Sequence, residues 1–376
     1  MAKVKESIDN GYSPVVVVSA MGRKGSPYAT DTLLSLVNEN FIKENKLAAD
    51  LLMCCGEIIS SVVMSSDMSS KNIDAFPMTG GQAGVITNKN FGEATLISTN
   101  EKEILDVISQ GRVPVVTGFQ GITENGYFTT LGRGGSDTTA SILGVMLDAE
   151  RIEIYTDVDG VMTADPRIVK SASVIDIISY DEVFQLADQG SKVIHPKAIE
   201  YAREGNIPIM IKNTLNDTIG TLINNVGDRK KRRLITSITN HDDRIQVTLN
   251  LDDNKGNDRY NDVLEIIAAN KISLDLINIF PRQQVFTISK AAKDIVKDIF
   301  DKLNLKYTLI DDCSTIALVG AGMKGIPGVM AKIYKTLSDS NIEVLQTADS
   351  HMTIWCLIHT ENLEKAINAL HKAFKL

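Results

Sequence analysis

Near its C-terminal end the sequence repeats itself at an offset of 70 residues, and that duplication constrains the fold more than any single motif. Arg244–Asn250 aligns with Ser314–Gly320, and Lys271–Asp275 aligns with Asn341–Leu345. Helical periodicity predicts helices over Val263–Ala269 and Ala292–Leu303 in the first copy, and over Val329–Ser338 and Leu363–Phe374 in the second. Each copy thus reads strand, helix, strand, strand, helix. Two small α+β modules follow, 244–312 and 313–376.

The first 225 residues carry a different pattern. Val15–Ser19, Val113–Gly118, Ile152–Thr156 and Ile207–Ile211 are short β-branched runs bounded by Gly or Pro and separated by helical stretches. Strands of that kind belong to a mainly parallel sheet sandwiched by helices, the α/β class. Ligands of such sheets bind at the carboxyl ends of the strands, where Ser19-Ala20-Met21-Gly22, Gly118-Phe119-Gln120-Gly121 and Thr156-Asp157 fall. Between the two patterns, 226–243 reads as a linker. Its basic run Arg229-Lys230-Lys231-Arg232-Arg233 suits a solvated connector better than a nucleic-acid patch, since the chain as a whole carries a net charge of -8.

At 376 residues the chain exceeds one ordinary core. No apolar run approaches the ~18 residues of a membrane span, and the N-terminus lacks the basic start and apolar stretch of a signal peptide, so a cytoplasmic location is expected, with neither membrane nor nucleic acid as partner. Cys54, Cys55, Cys313 and Cys356 have no metal-ligand spacing and read as idle or buried thiols.

The densest chemistry lies in Thr130-Leu131-Gly132-Arg133-Gly134-Gly135-Ser136-Asp137-Thr138-Thr139-Ala140. Glycines let backbone N–H groups approach an anion, Ser136 is placed to cap a helix whose positive end would face it, and Arg133 offers a fork for a carboxylate or phosphate. Further on come Ile154-Tyr155-Thr156-Asp157-Val158-Asp159-Gly160-Val161, Met162-Thr163-Ala164-Asp165-Pro166-Arg167 and Gly190-Ser191-Lys192-Val193-Ile194-His195-Pro196. Earlier stand Val15-Val16-Val17-Val18-Ser19-Ala20-Met21-Gly22 and Cys55-Gly56-Glu57. In this order the segments resemble the aspartate kinases of the amino-acid kinase family, over almost the whole chain.

That resemblance implies ATP with Mg2+ as donor, the side-chain carboxylate of L-aspartate as acceptor, and an acyl phosphate, 4-phospho-L-aspartate, as product. It implies that Arg133 grips the substrate α-carboxylate, that Glu57 and Asp137 face its ammonium group and reacting end, and that Thr30 and Ser19 line the cleft. Thr156, Asp157, Asp159, Met162 and Arg167 match positions around the nucleotide, and Lys192 one that reaches the phosphate chain. Magnesium is expected mainly on ATP oxygens and water, with no protein-built metal site. The C-terminal repeat resembles paired, ferredoxin-like ACT domains that bind a feedback amino acid, lysine, threonine or diaminopimelate, and form homo-oligomers. Asp275, Asn278, Glu343 and Ser350 are the expected effector contacts, Glu343 from a half-buried strand.

The family opens on a strand carrying Lys-Phe-Gly-Gly-Thr-Ser, whereas this sequence starts at Met1-Ala2-Lys3-Val4-Lys5-Glu6, inside the helix that follows. The phosphate-gripping role is therefore not carried to Lys3 or Lys5, and the chain as given is expected to turn over poorly. The alternative reading is an impaired paralogue that binds an amino acid as a regulatory protein.

Overall fold

A computed structural model describes residues 1–191, 193–229, 233–250, 258–323 and 325–376, without the side chains of 258–262. The chain divides into two compact units, Met1–Val158 with Lys192–Gly227, and Asp159–Ser191 with Asp228–Leu376.

In the first unit Val113–Thr117 lies between Val16–Val18 and Ala75–Met78, parallel to both. The two faces of this sheet bury different side chains. Val116, with Val17 and Phe76 beside it, packs on Ile104, Val107, Ile142 and Leu143, while Val113 and Val115 pack with Met68, Met64, Val16 and Val18. Cover on both faces explains why these strands are near-continuous apolar runs, broken only by Thr117, instead of alternating. A second sheet pairs Ile152–Thr156 in parallel with Ile209–Asn213, which turns back antiparallel to Thr221–Asn224. Its inner strand starts at Ile209, two residues later than expected from sequence. Pro208 has no N–H to give, and the Ile207 N–H closes the preceding helix on the Ala202 carbonyl at 2.9 Å. A further four-stranded, mostly antiparallel sheet ends in the hairpin Gln120–Thr123 and Phe128–Thr130, which delivers the chain to the glycine-rich run.

The helix Lys46–Ser69 organises this unit. Asn45 caps it by accepting the Ala48 N–H at 3.1 Å. By length and composition it is apolar enough to cross a membrane, with a mean hydropathy of 1.8. Here it packs on the strands Ala75–Met78, Val113–Thr117 and Phe128–Thr130, and its buried face carries Asp50, Glu57, Ser60 and Ser61.

The second unit is built on one antiparallel sheet in the order Asp275–Phe280, Gln283–Ser289, Ser237–Asn250, Lys306–Val319, Thr353–His359, Gln346–Asp349. The repeat holds in three dimensions at the same offset. Strand Gln283–Ser289 corresponds to Thr353–His359, the turn Lys290–Ala292 to Thr360–Asn362, and left-handed Lys271 (φ 57°) to left-handed Asn341 (φ 52°). The strand Ser237–Asn250 begins inside the stretch that composition marks as a connector. Its first half, Ser237–His241, pairs with Thr315–Val319 and so supplies an edge strand to the second module. Residues 159–191 pack here too: Ala164 and Val169 are buried with Ile316, Ile333 and Leu370.

Candidate active site

Three backbone features set the site. Gly118 ends the strand Val113–Thr117, donating to the Val18 carbonyl at 2.9 Å, and a Cβ there would lie 2.6 Å from Ser136 Oγ. Phe119 follows in a left-handed conformation (φ 68°), donating to Thr139 Oγ1 at 3.1 Å and accepting from the Leu131 N–H at 2.9 Å. The helix Gly135–Met146 then starts from Gly134 (φ 64°), whose missing Cβ leaves room for the His195 ring; an added methyl would come within 2.2 Å of His195 Cβ. Gly134, not Ser136, is thus the N-cap. Ser136 sits one residue inside the helix, where its hydroxyl meets that of Ser19 at 2.8 Å. The left-handed glycine can end the loop where Ser would be strained, which displaces Ser136 from the cap.

Glu57 projects from the buried face of the Lys46–Ser69 helix, 3% exposed. Its Oε1 accepts the Ala20 N–H at 3.1 Å, while Oε2 is buried with no partner among the described residues. Gly56 allows that approach, since a Cβ there would stand 2.9 Å from Ala20 Cβ and 3.1 Å from the Tyr28 carbonyl. Burial pushes the Glu57 carboxyl up to about 7. Asp137, in the first turn of the Gly135–Met146 helix, is raised by burial and held back by a hydrogen bond from the His195 backbone. His195 in turn caps the helix Pro196–Glu204, its Nδ1 accepting the Lys197 N–H at 3.3 Å. Burial first, then Lys197 and Arg133, holds its pKa below the ordinary value. Arg133 is exposed and makes no hydrogen bond or ion pair with a described residue.

The first unit therefore gathers Ser19, Glu57, Asp137 and the Arg133 loop around the ends of two parallel strands. Thr30 opens the short helix Thr30–Leu34, half-buried. Thr156 ends its strand, the carbonyl accepting from Thr214 N at 2.8 Å and Thr214 Oγ1 at 2.9 Å. Asp157 faces Arg23 at 3.6 Å, both exposed, so this pair is free to exchange partners. The other expected nucleotide residues fall in the second unit or outside the described residues. Among them, Met162 accepts the Ser237 hydroxyl at 2.8 Å on its carbonyl, Arg167 is locked onto Asp165 by a forked pair with a shortest distance of 2.6 Å, Asp159 belongs to the second unit, and Lys192 lies outside the described residues.

In the second unit, Asn278 Oδ1 accepts Gln346 Nε2 at 2.6 Å, and Gln346 Oε1 accepts Gln246 Nε2 at 3.0 Å, a polar bridge between the two modules. Asp275 is paired with Arg244 at 3.0 Å. Glu343 does not lie in a half-buried strand: it is exposed, and the strand starts only at Gln346. Left-handed Asn341 turns the chain out of the helix and delays the strand. Ser350 closes the following turn, its hydroxyl accepting the Thr353 N–H at 3.1 Å.

Sequence reasoning passed over Asp50 and Gln346, and named Gln120 only as part of the Gly118–Gly121 segment. Asp50 lies seven residues before Glu57, two helical turns away on one face, a spacing legible in sequence. Gln120 and Gln346 give no such signal, because only tertiary pairing brings them to their acceptors, the Cys54 carbonyl and Asn278 Oδ1.

Comparison with known proteins agrees with this fold. The amino acid kinase family pattern matches residues 1–213 and an ACT domain pattern matches 308–372. Aspartokinase 1 of Bacillus subtilis (strain 168) is 42% identical over 381 residues, covering 100% of this chain and 94% of that protein. The crystal structure of E. coli aspartokinase III in complex with aspartate and ADP superposes with a TM-score of 0.72 at 26% identity, covering 88% of this chain and 76% of that one. The Clostridium acetobutylicum aspartate kinase shares the fold, with a TM-score of 0.78 at 22% identity over 99% of this chain and 96% of the other. A family pattern over the catalytic half and a full-length relative at this identity have one reading: the chain belongs to the amino acid kinase family, and within it to the aspartokinases, and is a kinase enzyme.

Proposed function

We propose that the chain transfers the γ-phosphoryl group of ATP to the side-chain carboxylate of L-aspartate, giving 4-phospho-L-aspartate and ADP, as the first step of a route to diaminopimelate, lysine, threonine and methionine. The observation that carries the site assignment is Glu57 Oε2, a buried carboxylate oxygen with no partner among the described residues. Burying such an atom is costly unless a ligand completes it, and a substrate ammonium supplies the opposite charge. Exposed Arg133 takes the α-carboxylate through its planar fork.

The substrate is thereby held by both ends of its amino-acid part, leaving the side-chain carboxylate directed at ATP. One of its oxygens attacks the γ-phosphorus in line as the bond to the ADP oxygen breaks. No covalent intermediate on the enzyme is needed, so the chain's work is positioning and charge neutralisation. Asp137 and Thr30 line the acceptor side; Ser19, Thr156, Asp157, Asp159, Met162, Arg167 and Lys192 are the proposed nucleotide contacts. Magnesium would arrive on ATP, neutralising its phosphates, with phosphate and water oxygens as its main ligands. Among the described residues no group of three or more His, Cys, Asp and Glu side chains gathers to cage an ion.

The two C-terminal modules are proposed to bind a feedback amino acid, lysine, threonine or diaminopimelate, in contact with Asp275, Asn278 and Ser350, with Glu343 at the rim, and to join chains into a homo-oligomer. The exposed Ile277, Ile279 and Phe280 on the edge strand Asp275–Phe280 support the last point. A cytoplasmic setting is part of this reading. The test is ADP release from MgATP that depends on L-aspartate, with the product trapped by hydroxylamine as a hydroxamate. Absence of both signals would refute the reaction and favour an amino-acid-binding regulatory protein.

A further inference from the structure

Asp50 is fully buried, and nothing in the reaction described above uses it. Its Oδ2 accepts the Thr130 N–H at 2.9 Å and the Gly92 N–H at 2.9 Å, and its Oδ1 accepts the Thr130 hydroxyl at 2.9 Å. One carboxylate thus fastens two chain segments to the helix Lys46–Ser69. Glu57 stands on the same helix face roughly 10 Å further along, at 1.5 Å per residue. Arg133 stands three residues beyond Thr130, and the intervening Gly132 has a left-handed φ of 79° and no side chain to brace it. A Cβ placed on that glycine would meet Gly92 and Glu93, at 3.6 Å, so the segment that Asp50 fastens through Gly92 lies behind the loop.

We propose that Asp50 is a positioning residue for the amino-acid substrate, fixing the separation between the Glu57 carboxylate that meets the ammonium group and the Arg133 guanidinium that meets the α-carboxylate. The proposal rests on the substrate reading above. A carboxylate in this place is costly to bury, and a neutral side chain of similar volume would fill the space without that cost. What the carboxylate adds is three convergent acceptor contacts that set backbone position at the root of the arginine loop. An ångström of misplacement at such a point is enough to lose up to about a hundredfold in rate.

The experiment is steady-state kinetics on the full chain, followed by ADP release, with aspartate and ATP varied separately. Asp50→Ala is expected to raise the aspartate KM about tenfold or more while the ATP KM stays within about twofold. Thr130→Val keeps both backbone N–H bonds, loses only the hydroxyl, and is expected to raise the aspartate KM a few-fold without disturbing the fold. Asp50→Asn should fall between wild type and alanine, because its amide oxygen still accepts both N–H groups and the Thr130 hydroxyl can turn to accept from the amide. Aspartate KM unchanged in Thr130→Val and Asp50→Ala, or both KM values rising together, would overturn the proposal. A wild-type chain run in parallel that releases no aspartate-dependent ADP would instead refute the substrate reading, and this proposal with it.

Discussion

Replacing Glu57 by Gln should stabilise the free protein while crippling its use of aspartate. The folded carboxyl titrates near 7 against an ordinary 4.5, and burial is the main cause. The folded state therefore holds the proton more tightly than the unfolded state, so ionising Glu57 works against folding. That penalty is absent below pH 4.5, grows between 4.5 and 7, and is complete above 7, where it amounts to roughly 3 kcal/mol. Gln carries no charge, keeps an oxygen for the Ala20 N–H now bonded at 3.1 Å, and escapes the penalty. At pH 8 the variant should melt higher than wild type by several degrees, taking ~2–4 °C per kcal/mol for a unit of this size. At pH 4.5 the gap should close. Catalysis moves the other way: with its charged partner gone, aspartate should lose about a hundredfold in kcat/KM at pH 8. The wild-type aspartate KM should rise about tenfold from pH 8 to pH 6 as the ionised fraction falls. Paired melts at pH 8 and 4.5, with aspartate kinetics at pH 8 and 6, decide the matter. A stability gap that does not change with pH, or an unchanged aspartate KM in Glu57→Gln, would refute the reasoning.

Arg133→Ala should raise the aspartate KM strongly with little effect on ATP, and Arg133→Lys should suffer as well, because a point charge cannot make the two-pronged contact; unchanged kinetics in both variants would remove Arg133 from the site. Gly134→Ala should cost both stability and activity, since it adds roughly 1–2 kcal/mol of left-handed strain and a methyl 2.2 Å from His195 Cβ. Gly132→Ala, with its nearest neighbours at 3.6 Å, should pay only the strain, so equal melting losses in the two would contradict the packing. Calorimetry of the full chain with lysine, threonine and diaminopimelate should show heat for at least one, weakened by Gln346→Ala; three flat titrations would dismiss an effector site in the C-terminal modules.

Local pattern determined a good deal of this protein. The runs at Val16–Val18 and Val113–Thr117 are strands because strands covered on both faces need near-continuous apolar side chains, while Ile152–Thr156 sets Glu153 between two buried isoleucines. The repeat gave the paired modules, since helices such as Leu363–Phe374 present one apolar stripe that packs on the strands of the same module, with Ala164 and Val169 in the same cluster. Arg133, Glu57 and Asp137 are the proposed site residues because their types and order carry the resemblance. Tertiary structure decided the rest, wherever the partner lies far along the chain. Ser136 yields the helix cap to Gly134 because His195, some sixty residues away, fills the space where a side chain would stand. The stretch marked as a connector becomes a strand at Ser237 because Thr315–Val319 offers it an open edge, and Glu343 stays in solvent because left-handed Asn341 delays its strand. Asp50 shows the same division: its helix and its face follow from periodicity, but its hold on Thr130, eighty residues on, exists only once the chain has folded.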